Sequence, residues 1–164
     1  MIITLKNKHT LQVEDFLFNC SIGENGLTKR KIEGDKKTPK GNFGLENLYY
    51  RKDRVDKPQT SLKCIEISKN MGWCHDVEYP KKYNQLVNTQ DNFKCEKLKR
   101  YDYKYDLFIP IKYNFINPKV GIGSAIFIHL TKDYKPTAGC IALNKKDFLI
   151  MLKIIKKNSK IRIL

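Results

Sequence analysis

Gly123 to Leu143 reads GSAIFIHLTKDYKPTAGCIAL, and the fold is decided by how this stretch is read. Ser124 to Leu130, SAIFIHL, is the best strand in the chain, rich in aromatic and β-branched residues. Lys132 to Gly139 is a loop built from turn formers. Just beyond the stretch, Asn144 has the character of a helix N-cap, and Asp147 stands three residues on, in the position of a capping-box acid. Phe148, Met151, Leu152 and Ile155 then recur at the spacing of one apolar helix face, with Asn158 placed to stop the helix. Lys160 to Leu164 returns as a strand.

Working outward, strands are expected at Ile2 to Leu5, Leu11 to Val13 and Phe16 to Ile22, again over Phe43 to Tyr50, and at Cys64 to Ser68. Tyr105 to Tyr113 is apolar and aromatic enough for a central strand. Gly34 to Gly41 is a polar loop. Met71 to Asp91 reads as irregular, a long segment of the kind that forms a lid or a site wall. Cys95 to Arg100 reads as a short helix. The count is many strands and one solid helix, hence a mainly β fold with one or two peripheral helices, in a single domain over residues 1–164.

Composition narrows the function classes. The 164 residues include 41% apolar types, enough for a core. No apolar run approaches the roughly 20 residues of a membrane helix. The first ten residues, MIITLKNKHT, lack the pattern of a secretory leader, so no export address is read there. Thirty-two Lys and Arg against 17 Asp and Glu give +15. That surface suits a polyanion such as an anionic wall polymer, an acidic lipid surface or a nucleic acid. The lysines are scattered and no nucleic-acid motif accompanies them, so a nucleic-acid partner is not expected.

Five cysteines occur, at 20, 64, 74, 95 and 140. None forms a C-x-x-C pair, so neither a zinc ribbon nor a thioredoxin-type motif is supported. Of the three histidines, His129 ends the strong strand and lies eleven residues before Cys140. A thiol is a few per cent ionised at neutral pH and needs a base to become a nucleophile. Gly139 lets backbone N–H groups and a substrate carbonyl approach, as an oxyanion hole requires. Thr137 offers a hydroxyl. Two readings stand for this pair: a nucleophile and its base, or a small buried hydrophobe and a hydrogen-bonded core histidine. Cys74, His75 and Asp76 are a rival cluster, but neighbours on an extended segment face opposite ways.

The stretch Gly123 to Leu143 resembles the L,D-transpeptidase catalytic domain family, in the branch where a G-S-A-I-F-[IL]-H strand leads by a short loop to P-T-x-G-C. Gly34-Asp35 and Thr38 to Phe43 are similar to the family's G-D-x-x-T-P-x-G-x-F loop. Met71 to Asp76, with Tyr83-Asn84, is similar to its G-W-C-x-D and Y-N segments. The resemblance implies a β-sandwich or barrel, Cys140 as nucleophile, His129 as base and acid, and the Gly139 carbonyl orienting the imidazole. It implies that Thr137, Ala138, Trp73, Asp76, Tyr83 and Ser124 contact substrate. It further implies acyl transfer on peptidoglycan stem peptides in the cell envelope through a thioester, with no metal or organic cofactor. Alternatives of other classes are a Cys-His wall-peptide hydrolase or amidase and a non-catalytic basic binding module. The sequence departs from the family in lacking the arginine that usually follows the cysteine. Lys132, Lys135 and Arg100 are the candidates to replace it.

Overall fold

The computed structural model describes all 164 residues. Its strands are β1 (Ile2–Asn7), β2 (Thr10–Val13), β3 (Phe16–Asn19), β4 (Leu27–Thr28), β5 (Thr38–Pro39), β6 (Gly41–Gly44), β7 (Leu48–Tyr50), β8 (Cys64–Glu66), β9 (Met71–Cys74), β10 (Leu86–Asn88) and β11 (Cys95–Lys97). There follow β12 (Leu107–Pro110), β13 (Phe127–Leu130), β14 (Ile141–Leu143), the helix α1 (Lys145–Ile154) and β15 (Lys160–Ile163). One five-stranded sheet has the order β3-β2-β1-β15-β6 and a second the order β14-β13-β12-β7-β8. A three-stranded sheet, β10-β9-β11, and the short pair β4-β5 complete the architecture.

Alternation along the strands sorts the core into two. Ile3 and Leu5 of β1, Leu107 and Ile109 of β12, Ile128 and Leu130 of β13, and Ile141 and Leu143 of β14 join one large apolar cluster. Phe148, Met151 and Leu152 of α1 pack into it from the helix. Each such side chain contributes roughly 1.5–3 kcal/mol on burial. The intervening residues Phe108 and Phe127 point to the other face of the second sheet. There they pack with Tyr49, Trp73, Tyr105 and Cys140 in a smaller cluster.

The helix begins as its caps dictate, with the Asn144 side chain accepting the Asp147 N–H at 2.9 Å. It ends at Ile154, ahead of Asn158, where the backbone of Ile155 turns extended. It is the one helix of the fold. The expected helix at Cys95 to Arg100 is instead strand β11 on the far side of β9. In a strand, Glu96 turns inward to the Tyr105 hydroxyl while Cys95 and Lys97 turn away. Met71 to Asp91 is not irregular throughout, because β9 and β10 within it pair antiparallel. The expected strand Phe43 to Tyr50 is broken, β6 lying in one large sheet and β7 in the other. The strand expected from Ser124 starts only at Phe127, since Ala125 takes a left-handed conformation (φ 51°) that no strand accommodates. The strand expected over Phe16 to Ile22 stops at Asn19, and beyond it isolated bridges join Ser21 to Ala142 and Gly23 to Thr137.

Candidate active site

Because Ile128 and Leu130 face the large core, His129 must share the opposite face of β13 with Phe127. Strand β14 runs parallel to β13 with Ile128 beside Ile141 and His129 beside Ala142. The same alternation therefore sends Cys140 and Ala142 to the face that carries His129. Both Cys140 and His129 are buried, and both line one cavity of about 590 Å³. The Cys140 Sγ accepts the Phe127 N–H at 3.3 Å, and its thiol donates to the Ala125 carbonyl at 3.3 Å. No hydrogen bond joins the sulfur to the imidazole. The thiol proton points to the Ala125 carbonyl instead.

The imidazole is oriented by a different carbonyl from the one expected. His129 Nδ1 lies 2.9 Å from the Leu130 oxygen. A carbonyl only accepts, so Nδ1 carries the proton and Nε2 is left with its lone pair. The Gly139 carbonyl is engaged elsewhere, accepting from Thr38 Oγ1 at 2.8 Å. Gly139 has φ 137°, and a Cβ there would stand 2.9 Å from the Lys37 oxygen. The glycine is required because the Gly34–Gly41 loop passes against it.

Electrostatics keep both groups neutral at rest. Burial lowers His129 to about 4; nearby Lys104 and Arg100 push the same way, against the Leu130 hydrogen bond and Asp102. Burial, helped by the Glu96 charge, raises the Cys140 thiol to about 12, against the Phe127 N–H and Lys31. The main-chain N–H of Cys140 has no protein partner. Its peptide unit is held by Thr38 through the Gly139 oxygen. In a trans peptide the N–H points opposite to the C=O, so Thr38 fixes the direction of the Cys140 N–H.

Of the other expected residues, Ser124, Thr137 and Ala138 line the cavity. The Thr137 hydroxyl is not free: it donates to the Cys140 carbonyl at 2.6 Å and accepts the Gly139 N–H at 3.1 Å. Trp73, Asp76 and Tyr83 do not line the cavity; they support it. Trp73 packs edge-on to Phe127 and donates to Asn84 at 2.8 Å. Asn84 also accepts the Ala125 N–H at 2.9 Å, which holds Ala125 in its strained conformation beside the sulfur. Asp76 accepts the backbone N–H groups of Glu78 and Lys94. Tyr83 is fully buried and donates to Glu33. Arg100 and Lys135 reach the cavity, paired with Asp102 and Asp133, whereas Lys132 lies over the Tyr103 ring.

Sequence reasoning passed over Leu130, Glu33, Glu96, Tyr105 and the role of Thr38. Only Thr38 had a signal, since it stands in the loop already noted. The Leu130 contact is made by backbone, which no residue identity reveals. Glu96 lies in the segment expected to be a short helix, Cys95 to Arg100, so its inward turn from a strand was not foreseen.

The structure is thus a mainly β scaffold in which a buried cysteine and histidine face one cavity from the neighbourhood of two parallel strands. The chain belongs to the L,D-transpeptidase catalytic domain (YkuD) family, whose model matches residues 2–163. Among solved structures it is similar to the helical cell shape determining protein Pgp2 from Campylobacter jejuni, with a TM-score of 0.52 at 17% identity over 99% of this chain. The K307A mutant of that protein matches with a TM-score of 0.50 at 18% identity, again over 99% of this chain. Bd1075 from Bdellovibrio bacteriovorus matches with a TM-score of 0.49 at 14% identity, over 99% of this chain and 47% of its own. The chain spans about half the length of these proteins, 46% of Pgp2 and 45% of its mutant. No protein of curated function matches the sequence.

Proposed function

We propose that this chain catalyses cysteine-dependent acyl transfer on peptidoglycan stem peptides, as an L,D-transpeptidase, or as an L,D-carboxypeptidase when water replaces the amine acceptor. The observation that carries the reading is the placement of Cys140 and His129 on one face of β13 and β14, open to one cavity, with Nδ1 tied to Leu130. That tie leaves Nε2 as the acceptor for the thiol proton.

The thiol turns from Ala125, and its proton passes to Nε2 as sulfur bonds to the carbonyl carbon of the amide before the terminal D-alanine. Burial disfavours a resting thiolate–imidazolium pair, so proton transfer accompanies attack rather than preceding it. The Cys140 N–H donates to the developing oxyanion, a role whose removal typically costs about 10²–10³-fold. The Nε2 proton goes to the departing nitrogen, D-alanine leaves, and a thioester remains on Cys140. An amine of a second stem, or water, gives its proton to Nε2 and takes the acyl group, restoring the thiol. The two easier steps replace one difficult amide exchange. The basic surface suits an anionic wall polymer, and the cell envelope is the compartment of this chemistry. No helix is long and apolar enough to cross a membrane.

The test is incubation with purified muropeptides, read by chromatography and mass spectrometry. Wild type releases D-alanine and forms a thioester mass on Cys140, while Cys140→Ala and His129→Ala lose turnover by at least about 10²–10⁴-fold. Release without cross-links at any amine concentration assigns the hydrolytic form. No release from folded wild type overturns the reading.

A further inference from the structure

Three acidic side chains line the catalytic cavity. Glu96 accepts from Arg100 and from the Tyr105 hydroxyl, and Asp133 pairs with Lys135 at 3.1 Å. Glu33 has no cation partner in a chain of net charge +15. Its nearest lysines by sequence are committed elsewhere. Lys31 holds Asp35 and the Ile32 carbonyl, and Lys36 holds Glu24.

Glu33 is nonetheless fixed in place. Its Oε2 accepts from the buried Tyr83 hydroxyl and from Ser124 Oγ at 2.7 Å, and its N–H donates to the Gly121 carbonyl at 2.8 Å. Oε1 makes no protein hydrogen bond. The residue after Ser124 is Ala125, whose carbonyl holds the Cys140 thiol. A short chain of contacts therefore runs from Glu33 through Ser124 and Ala125 to the sulfur. An immobilised carboxylate with one open oxygen, in the same cavity as the nucleophile, is the complement of a cation that the protein does not supply.

We propose that Glu33 binds a primary ammonium group of the donor substrate, carried by the residue whose carbonyl Cys140 attacks. This rests on the acyl-transfer reading for the identity of the donor. The attacking amine of a second stem is the poorer occupant. A carboxylate stabilises the protonated form of an amine beside it, and a protonated amine has no lone pair with which to attack a thioester. A spectator ammonium on the donor suffers no such penalty. Tyr83 and Ser124 are positioning residues for Glu33, which connects two positions that the resemblance had linked to substrate.

The experiment uses two synthetic tetrapeptides ending in D-alanine, identical except that the third residue carries a free side-chain amine or its N-acetyl form. Calorimetry on the Cys140→Ala protein measures binding without turnover. The free-amine peptide binds about tenfold or more tighter, as a charge-assisted hydrogen bond predicts, and the preference shrinks as salt rises. Glu33→Gln keeps acceptor and shape and reduces the preference to within about twofold. Equal binding of the two peptides by the Glu33-containing protein, or no binding of either, overturns the proposal without any Glu33 variant. So does a preference that survives in folded Glu33→Gln. D-Alanine release is followed in parallel with Cys140 present. Amine discrimination without release leaves the ammonium site standing and overturns the acyl-transfer reading; release without discrimination does the reverse.

Discussion

Thr38 Oγ1 donates to the Gly139 carbonyl at 2.8 Å, joining residues 101 positions apart. The same hydroxyl accepts the Gly23 N–H at 2.9 Å, so Thr38 is fully buried and held from two sides. The bond orients the peptide unit whose other end is the N–H of Cys140. Thr38→Val keeps the volume and deletes the bond. Its expected effect is a fall in kcat of about 10–100-fold with KM little changed, smaller than deletion of an oxyanion donor because the donor remains but is less well aimed. Steady-state kinetics of D-alanine release check it. A rise in KM at constant kcat would instead give Thr38 a role in binding.

Gly139→Ala is expected to be far worse. The added methyl meets the Lys37 oxygen at 2.9 Å, and φ 137° is closed to alanine. Either the Gly34–Gly41 loop or the turn before Cys140 must shift. A loss of about 2–4 kcal/mol in stability by denaturant titration is expected, from strain at a special backbone position, with loss of turnover in whatever protein remains folded. An alanine variant of wild-type stability and rate would remove this account of the glycine.

Acid stability depends on His129. Its folded value of about 4 lies below the ordinary 6.5, so the unfolded chain takes up a proton that the fold rejects. Stability is unaffected above pH 6.5, declines as pH falls towards 4, and changes no further below that. The depression corresponds to about 3 kcal/mol over this window. His129→Phe should flatten that part of the stability curve. With His129 as the base of the proposed acyl transfer, neutral imidazole is the working form, so the acid limb of kcat/KM should fall near pH 4 rather than 6.5. A limb at 6.5 would show that the imidazole is well solvated.

At the alkaline end the sign reverses in cause but not in outcome. Cys140 and Cys20 are both raised to about 12 from the ordinary 9. The unfolded chain ionises these thiols above pH 9 while the fold does not, so stability is lost as pH rises from 9 towards 12. The same burial slows alkylation. At neutral pH iodoacetamide should label the partly exposed Cys64 and Cys95 well before Cys140, as peptide mapping would show. Cys140 labelled first would mean that the imidazole already draws off its proton at rest.

How much of this was legible depended on how local the determinant was. The caps and apolar face of α1 lie within a dozen residues, and Asn144 with Asp147 marked its start. The strand expected over Ser124 to Leu130 announced itself, although the left-handed Ala125 confines it to Phe127 to Leu130. The β9-β10-β11 sheet did not. Its central strand is held by partners from segments with little strand character, and pairing rather than propensity decides such pieces. Cys95 to Lys97 took the wrong period for the same reason. In the site, residue types pointed to Cys140 and His129. The carbonyl that orients the imidazole and the carboxylate that collects two hydroxyls are products of tertiary approach: Leu130 acts by backbone, and Glu33 is met by Tyr83 from 50 positions away.

Strand β15 lies between β1, which it joins in parallel, and β6, which it joins antiparallel. Among these strands it is the last in chain order, yet it fills an interior slot of the first sheet. Until it arrives, β1 and β6 have facing rows of unpaired amides and carbonyls and no shared neighbour, a template that invites any extended segment nearby. Assembly therefore completes only after synthesis has passed Ile163, and a nascent chain stalled short of that point would be a substrate for chaperones rather than a slightly trimmed version of the native protein.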